Sequence, residues 1–233
     1  MKLHALLTAV GAVVLSTAAS ASPFTLDFEK VAVYPNGNNV LIQDFYNGGT
    51  ASNGFAGTNY GVSFGSNALL ICLNSTSVSC SNTSRGGLAP TSSEGSLFFL
   101  SGNQTYMNVA AGFDTGFSFN YVGSFTGSVD VYDGVNGAGN LLTSVSLTPN
   151  LVGCSAYGGA GFCPFTAAGV NFAGTAKSVS FGGVANQIVF DDITFGSATP
   201  GDPGNRVPEP ASLALVALGL LAAGAARQRR RQA

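Results

Sequence analysis

The sequence has no tryptophan and a single histidine, His4, which lies in an N-terminal segment of targeting character. Removal of that segment leaves a mature chain without histidine. A Ser–His–Asp triad, a histidine-ligated zinc site and imidazole acid–base catalysis are therefore excluded. Charged residues are also scarce, at 9% of the chain, against roughly 25% in an average soluble protein. Few side chains are left that could carry catalysis.

Positive charge is scarcest in the middle of the chain. Between Ser22 and Pro200 there are nine acidic side chains against three basic ones, a net charge of −6. A domain with this balance has no electrostatic reason to hold a phosphate backbone, so nucleic acid is not expected as a partner. Four of the six arginines lie instead in residues 227–231.

Residues 1–21 have the parts of a secretory signal peptide. A positively charged start, an apolar stretch over residues 5–18 and an A-x-A cleavage site at residues 19–21 follow one another. We therefore expect an exported protein whose mature chain begins near Ser22. The alternative is an N-terminal membrane anchor, for which the apolar stretch is short.

The C-terminal end carries a second targeting pattern. Val207, Pro208, Glu209 and Pro210 precede an apolar run of 16 residues and then the arginine cluster at residues 227–231. At about 1.5 Å per residue, a helix of that length spans roughly 24 Å of a roughly 30 Å bilayer core, and arginine side chains can bridge the difference. Positive charge stays cytoplasmic, which places the domain outside. A plain C-terminal anchor is the alternative.

A V-P-E-P motif, a short Ala/Leu-rich helix and a terminal arginine cluster, in this order, resemble the PEP-CTERM sorting tail. The resemblance covers residues 207–231. It implies that an exosortase, a membrane transpeptidase-like protease, recognises the tail and removes it during export. It further implies transient membrane anchoring, then a place at the cell surface or outside the cell, in a setting of exopolysaccharide and biofilm. Residues 197–206 precede the tail and have the Pro/Gly/polar composition of a flexible linker.

The segment between the two ends, residues 22–196, has the pattern of β-strands. Apolar and polar residues alternate in many short stretches, and turn formers such as Asn136-Gly137 separate them. Residues 97–100 are an unbroken apolar run, which favours a strand buried on both faces. About eight to twelve short strands with frequent turns predict an all-β, two-sheet sandwich of the jelly-roll type.

Several segments of this domain also resemble a recurrent β-domain associated with PEP-CTERM proteins. They lie at residues 27–29, 59–69, 107–113, 131–134 and 187–196. No established activity accompanies that domain type, so the resemblance bears on fold and cellular address and implies no catalytic residue.

The four cysteines form two pairs in the sequence, Cys72 with Cys80 and Cys154 with Cys163. Export places them in an oxidising compartment, where an even number predicts disulfides, with three possible connectivities. We favour the two local disulfides, because each would close a loop rich in small polar residues or glycine and add about 2–3 kcal/mol. A cysteine metal site is the alternative, but neither pair is CxxC and no histidine can assist.

Acidic residues gather at the two ends of the domain: Asp27 and Glu29 near its start, Asp191 and Asp192 near its end. Positions 27 and 29 share one face of a predicted strand, and the first and last strands of jelly-roll sandwiches are often neighbours. Four carboxylates meeting there would suit a structural Ca²⁺, which prefers oxygen ligands. The alternative is that they are solvated groups at strand edges.

Three functions are compatible with these features. We expect a non-catalytic surface or extracellular-matrix protein. The second hypothesis is a carbohydrate-binding module with a structural calcium, in which some of the seven tyrosines stack on extracellular polysaccharide, although strand packing also favours tyrosine. The third is a glycoside hydrolase, which needs two carboxylates at a fixed separation, and no motif singles out such a pair.

Overall fold

The computed structural model describes residues 24–35, 39–74, 80, 83–84, 94–153 and 162–201. The predicted signal peptide, residues 1–21, and the predicted sorting tail, residues 207–231, lie outside the described residues. So does the predicted apolar helix of that tail. Within the described part, no helix is long and apolar enough to cross a membrane.

The described residues are all-β, with eleven strands and one 3₁₀ turn at Val135–Gly137. The strands are β1 Thr25–Leu26, β2 Val40–Leu41, β3 Val62–Phe64, β4 Leu69–Asn74, β5 Thr83–Ser84, β6 Gly95–Phe98, β7 Gln104–Gly123, β8 Gly127–Tyr132, β9 Leu141–Leu147, β10 Thr166–Gly182 and β11 Ile188–Phe195. The sheet is antiparallel except where β4 pairs with β5.

The order of the strands brings the two ends of the domain together. The sheet runs β2-β4-β6-β11-β7-β10-β8-β9, with β1 beside β11, β3 beside β7 and β5 beside β4. Thr25 lies opposite Thr194, and Leu26 lies opposite Ile193. The first and last strands are thus neighbours, as the sequence analysis expected.

Two long strands carry the chain through both halves of the sheet. β7 has 20 residues and β10 has 17. Residues 117–123 of β7 pair with β11, whereas residues 107–109 pair with β3. The β7–β10 register shifts between Phe172 and Ala176, and Gly112 and Gly174 have positive φ near this point. Such bulges bend strands, so one continuous sheet can fold back on itself.

Aromatic side chains fill the space between the two halves. Phe117 and Phe119 of β7 each lie 6.1 Å, ring centre to ring centre, from Phe181 of β10. Phe181 in turn lies 4.9 Å from Phe190 of β11. Because Phe181 is in the part of β10 that pairs with β8, the halves pack face to face, consistent with a sandwich.

A second, smaller apolar cluster covers the outer face of the β4–β6–β11–β7 half. It consists of Ile71, Leu73, Phe98, Val122, Phe165 and Val189. Leu97 packs in the main core and Phe98 in this cluster, so the predicted strand buried on both faces is confirmed there. The strand ends at Phe98, however, and Leu100 is 46% exposed.

The three described cysteines, Cys72, Cys80 and Cys163, are all disulfide-bonded. Cys72 of β4 is joined to Cys80 by a disulfide, with their Cα atoms 5.7 Å apart. Cys163 is disulfide-bonded as well. Cys154, its predicted partner, lies outside the described residues, so that pairing stays a prediction.

Candidate functional site

Asp191 and Asp192 of β11 are both fully buried. The pairing of β11 with β7 shifts register between Asp191 and Thr194, and Asp192 has φ 47°. The two carboxylates accept hydrogen bonds from opposite neighbours of the strand. Ser96 of β6 donates to Asp191 at 3.2 Å, and Asn120 of β7 donates to Asp192 at 3.0 Å.

The predicted strand around Asp27 and Glu29 is shorter than the alternation indicates. β1 stops at Leu26, and Phe28 has φ 59°. The backbone N–H of Phe28 donates to the Tyr46 hydroxyl at 3.1 Å, which fixes this turn. Asp27 and Glu29 therefore do not lie on one face of a regular strand.

The turn directs Glu29 towards the start of β6. Its Oε1 accepts the backbone N–H groups of Glu94 and Gly95 at 2.9 and 3.0 Å. Asp27 accepts the backbone N–H of Glu29 at 3.3 Å and is only partly buried. Glu29 thus pairs with backbone N–H groups at the start of β6. Asp27 lines a cleft that is described below.

Tyr34 lies among these acids and donates its hydroxyl to the backbone oxygen of Phe28 at 2.8 Å. Burial raises the pKa of Tyr34 well above its ordinary value. The same pKa is raised further by nearby carboxylates, in the order Glu29, Asp191, Glu94 and Asp27. Three of the four predicted calcium ligands therefore act on one hydroxyl. We call Asp27, Glu29, Glu94 and Asp191 the acid cluster.

The acid cluster differs from the predicted site in two members. The carboxylate of Asp192 accepts a hydrogen bond from Asn120 instead. Glu94, which the sequence does not single out, is 8% exposed and part of the cluster. Among the residues that the structure describes, no group of three or more His, Cys, Asp or Glu side chains is placed to hold a metal ion. No local pattern singles out Glu94, because its position depends on β6 pairing with β11.

A cleft of about 370 Å³ opens beside β1, and we call it the β1 cleft. Its aromatic side chains are Phe45, Tyr46 and Tyr60. Its polar side chains are Thr25, Asp27, Lys30 and Thr58. The cleft thus combines rings with hydrogen-bonding groups, the composition typical of sites for small polar ligands.

Tyr60 is held in the cleft by a stack of rings. Its ring lies 4.9 Å from that of Phe24, with 13° between the planes, and Phe24 lies 4.4 Å from Phe195 of β11. Tyr60 nevertheless keeps 42% of its surface exposed. The stack therefore fixes the ring in place while leaving part of it open to solvent.

The other described tyrosines do not form an exposed row. Tyr46 and Tyr121 are buried, and only Tyr60 among the described tyrosines is more than about one third exposed. Tyr157 lies outside the described residues. Tyr106, Tyr121 and Tyr132 lie on strands, and Tyr34 and Tyr46 pack with the core from outside the strands. Among the described tyrosines, Tyr60 is the one placed for stacking on a ligand.

Glycine shapes one wall of the β1 cleft. A Cβ atom on Gly57 would lie 2.1 Å from the backbone oxygen of Phe45. Since no side chain fits so close to a backbone atom, only glycine lets these two segments approach each other and form the wall.

The solved structures that match this chain include the following two, both of low similarity. One is a glycoside hydrolase family 43 arabinoxylan arabinofuranohydrolase from Bacillus subtilis in complex with cellotetraose, with 17% identity and a TM-score of 0.31. That match covers 43% of this chain and 21% of the hydrolase, so the chain spans about a fifth of its length. The other is the carbohydrate binding module CBM6cm-2 from Cellvibrio mixtus lichenase 5A in complex with cellotriose. Its identity is 10% and its TM-score 0.31, over 54% of this chain and 93% of the module.

Neither similarity is close enough to carry an argument about ligand or activity. No curated protein matches the chain. The family model of the PEP-CTERM protein-sorting motif, in contrast, matches residues 206–231. This match confirms the sorting tail that the V-P-E-P motif and the arginine cluster predict. The chain therefore carries a PEP-CTERM protein-sorting motif at residues 206–231, which indicates an exported protein that an exosortase processes.

Proposed function

We propose that the mature protein is a non-catalytic component of the cell surface or extracellular matrix, associated with exopolysaccharide or biofilm. The observation that carries the proposal is the sorting motif at residues 206–231, which begins soon after the last strand ends at Phe195. The motif marks the domain for export, and an exosortase removes the tail that carries the motif.

Two features of the domain support a structural role. The mature chain has no histidine, so an acid–base mechanism would rest on carboxylates. Asp191 and Asp192, which are both fully buried, accept hydrogen bonds from Ser96 and Asn120 within the sheet. Such bonds satisfy buried carboxylates and stabilise the fold.

The proposal is tested in the bacterium that encodes the protein, by cell fractionation and intact mass with and without its exosortase gene. We expect the wild-type strain to carry mature protein outside the cytoplasmic membrane, ending near residues 207–210. Without the exosortase, the protein should stay in the membrane fraction and keep residues 227–231. A mature protein that keeps those arginines in the wild-type strain would indicate a permanent anchor and contradict the proposal.

A matched pair of variants separates the motif from its surroundings. Pro208→Ala changes the sorting motif, and Pro203→Ala changes the linker just outside residues 206–231. We expect Pro208→Ala to leave unprocessed protein in the membrane and Pro203→Ala to mature normally. Equal processing of both variants would mean that the V-P-E-P motif does not direct cleavage.

The second candidate function is that of a carbohydrate-binding module. It is favoured by the β1 cleft, where an exposed tyrosine ring lies beside hydroxyl, carboxylate and ammonium groups. In this proposal the two packed halves of the sheet form a jelly-roll sandwich, and the domain is the recurrent PEP-CTERM-associated β-domain. The two functions are compatible, since a surface protein can hold matrix polysaccharide.

A structural calcium ion is the cofactor that we propose for the acid cluster. In its favour, Asp27, Glu29 and Asp191 all raise the pKa of one hydroxyl, that of Tyr34. Against it, the described residues contain no group of three or more such side chains placed to hold a metal. Calcium binding would require the carboxylates to move together, which a thermal unfolding experiment can detect.

A further inference from the structure

We propose that the β1 cleft binds one neutral sugar unit of a polysaccharide, with Tyr60 as the stacking surface and Asp27 and Lys30 as the main hydrogen-bonding groups. The inference deepens the second candidate function and rests on it, because it assigns that function to particular side chains. It does not depend on how the protein is sorted.

The stacking surface is built before any ligand arrives. Phe24 covers one side of the Tyr60 ring, and Phe195 of β11 backs Phe24. Tyr60 still keeps 42% of its surface exposed. A ring fixed by packing loses little conformational freedom on binding, so a contact with the apolar face of a sugar is favourable there.

The polar side chains of the cleft match the hydroxyl groups of a sugar. The Asp27 carboxylate can accept hydrogen bonds from hydroxyls, and the Lys30 ammonium can donate them. Hydrogen bonds to charged groups are stronger than those between neutral groups. Thr25 and Thr58 add hydroxyls to the lining, so donors and acceptors surround the space beside Tyr60.

The charge of the cleft selects among sugars. Among the described residues that line it, Asp27 and Lys30 are the charged ones, and their charges cancel. A uronic acid would gain from Lys30 but would be repelled by Asp27, whereas a neutral sugar can hydrogen-bond to both. The remainder of the domain is acidic, which further disfavours an anionic polymer.

The volume of the β1 cleft suits a short part of a polysaccharide. Its volume of about 370 Å³ is at the small end of the roughly 300–1,000 Å³ typical of ligand sites. Buried Phe45 and Tyr46 close its base, and Gly57 holds one wall close to the backbone of Phe45. We therefore expect one sugar unit of a longer polymer to be held.

The test uses the exported mature protein and a panel of glucose, galactose, mannose, N-acetylglucosamine, cellobiose, maltose and glucuronic acid. Saturation-transfer NMR detects binding, and calorimetry measures the affinity. We expect at least one neutral sugar to bind and glucuronic acid to bind more weakly than glucose. Absence of binding by every neutral sugar overturns the proposal.

Variants locate the bound sugar. Tyr60→Ala should weaken binding by about tenfold or more through loss of the stacking surface, whereas Tyr60→Phe keeps the ring and should stay within about threefold. Asp27→Asn should weaken binding without moving the sugar. Phe125→Ala is the matched control, because Phe125 is 53% exposed and outside the cleft lining.

Two results would place the sugar elsewhere. Binding unchanged in Tyr60→Ala, with an unchanged melting temperature that shows an intact fold, overturns the proposal. Loss of binding in Phe125→Ala but not in Tyr60→Ala or Asp27→Asn does the same. If sugar binding fails while exosortase-dependent maturation is normal, this inference falls and the proposed surface role stands.

Discussion

Tyr34 has a buried hydroxyl group on which several carboxylates of the domain act. Its hydroxyl donates to the backbone oxygen of Phe28, and carboxylates from three separate stretches of chain act on it: Glu29, Glu94 and Asp191. A phenolate at this position would be both desolvated and repelled. The phenol therefore keeps its proton in the folded state, while in the unfolded chain it titrates near pH 10.

From this follows a loss of stability at high pH. Because burial raises the pKa of Tyr34 in the folded state, its contribution is fully present below about pH 10 and is lost as pH rises above that value. The pKa of Tyr46 is also raised by burial, so it acts in the same direction. We expect the free energy of unfolding of Tyr34→Phe to fall less steeply with pH than that of the wild-type protein. The difference in slope should correspond to at most about one proton released on unfolding. Urea unfolding at a series of pH values between pH 8 and pH 11 measures this slope.

Thr25→Val is the control for this prediction. It removes the Thr25 hydroxyl that bonds to Thr194 at 3.0 Å, without removing a titrating proton. It should lower the free energy of unfolding by about 1 kcal/mol at every pH and leave the pH dependence unchanged. If stability falls equally steeply with pH in the wild-type protein and in Tyr34→Phe, then Tyr34 ionises equally readily in the folded and the unfolded state, which would contradict the prediction.

At the scale of elements, the Cys72–Cys80 disulfide fastens the segment that follows β4. We expect non-reducing peptide mapping of the exported protein to give this link and a second one between Cys154 and Cys163. The double variant Cys72→Ala with Cys80→Ala, which leaves no unpaired thiol, should lower the free energy of unfolding by about 2–3 kcal/mol.

Two outcomes of the mapping would contradict the pairing. One is a peptide that links Cys72 to Cys154 or Cys163, and the other is four free thiols. The same digest after reduction is the control, since every linked peptide should then separate. A Cys72, Cys80 double variant as stable as wild type would show that the bond does not constrain the unfolded chain.

The strands that the sequence predicts well are those in which one face or both faces are buried. The apolar-rich sequence from Gln187 to Phe195 predicts a strand, and β11 occupies Ile188–Phe195. Alternation over residues 117–121 predicts part of β7 but not its length of 20 residues. Gly112 and Thr115 lie inside that strand with positive φ, and in sequence such positions resemble turns. Bends within long strands are thus hidden from local patterns.

The candidate site could be predicted only in part, for a similar reason. That the acids at both ends of the domain would approach each other follows from the pairing of the first and last strands. The direction of each side chain does not, because the turn at Phe28 and the bulge at Asp192 decide it. Glu94 joins the acid cluster through contacts 65 residues apart in sequence, which no local pattern can reveal.

At the scale of the whole molecule, the chain closes on itself where β1 meets β11. Thr194 bonds to Thr25 and also accepts the backbone N–H of Gly201 at 3.0 Å. The segment that leads to the sorting tail therefore departs from the edge at which the domain begins.

Calcium is the ion that we expect to act at this junction, and its effect would be measured on the whole fold. An ion that binds only the folded state stabilises it by about 2.7 kcal/mol at a hundredfold excess over Kd, which corresponds to a rise of several degrees in melting temperature. The measurement is thermal unfolding of the exported protein in calcium and in chelator, repeated on Asp191→Ala and Asp192→Ala. Asp114→Ala is the control, because Asp114 is exposed and is not among the carboxylates that act on Tyr34.

The variants distinguish the two buried acids by their contacts. Asp191 belongs to the acid cluster, whereas Asp192 turns to Asn120 on β7. An ion at the cluster should therefore lose its effect in Asp191→Ala, while Asp192→Ala, although less stable, should keep a calcium-dependent shift. Equal melting temperatures of the wild-type protein in calcium and in chelator would remove the site. A shift that survives both substitutions would place the ion outside the acid cluster, because Asp191 is the acid that β11 contributes to that cluster.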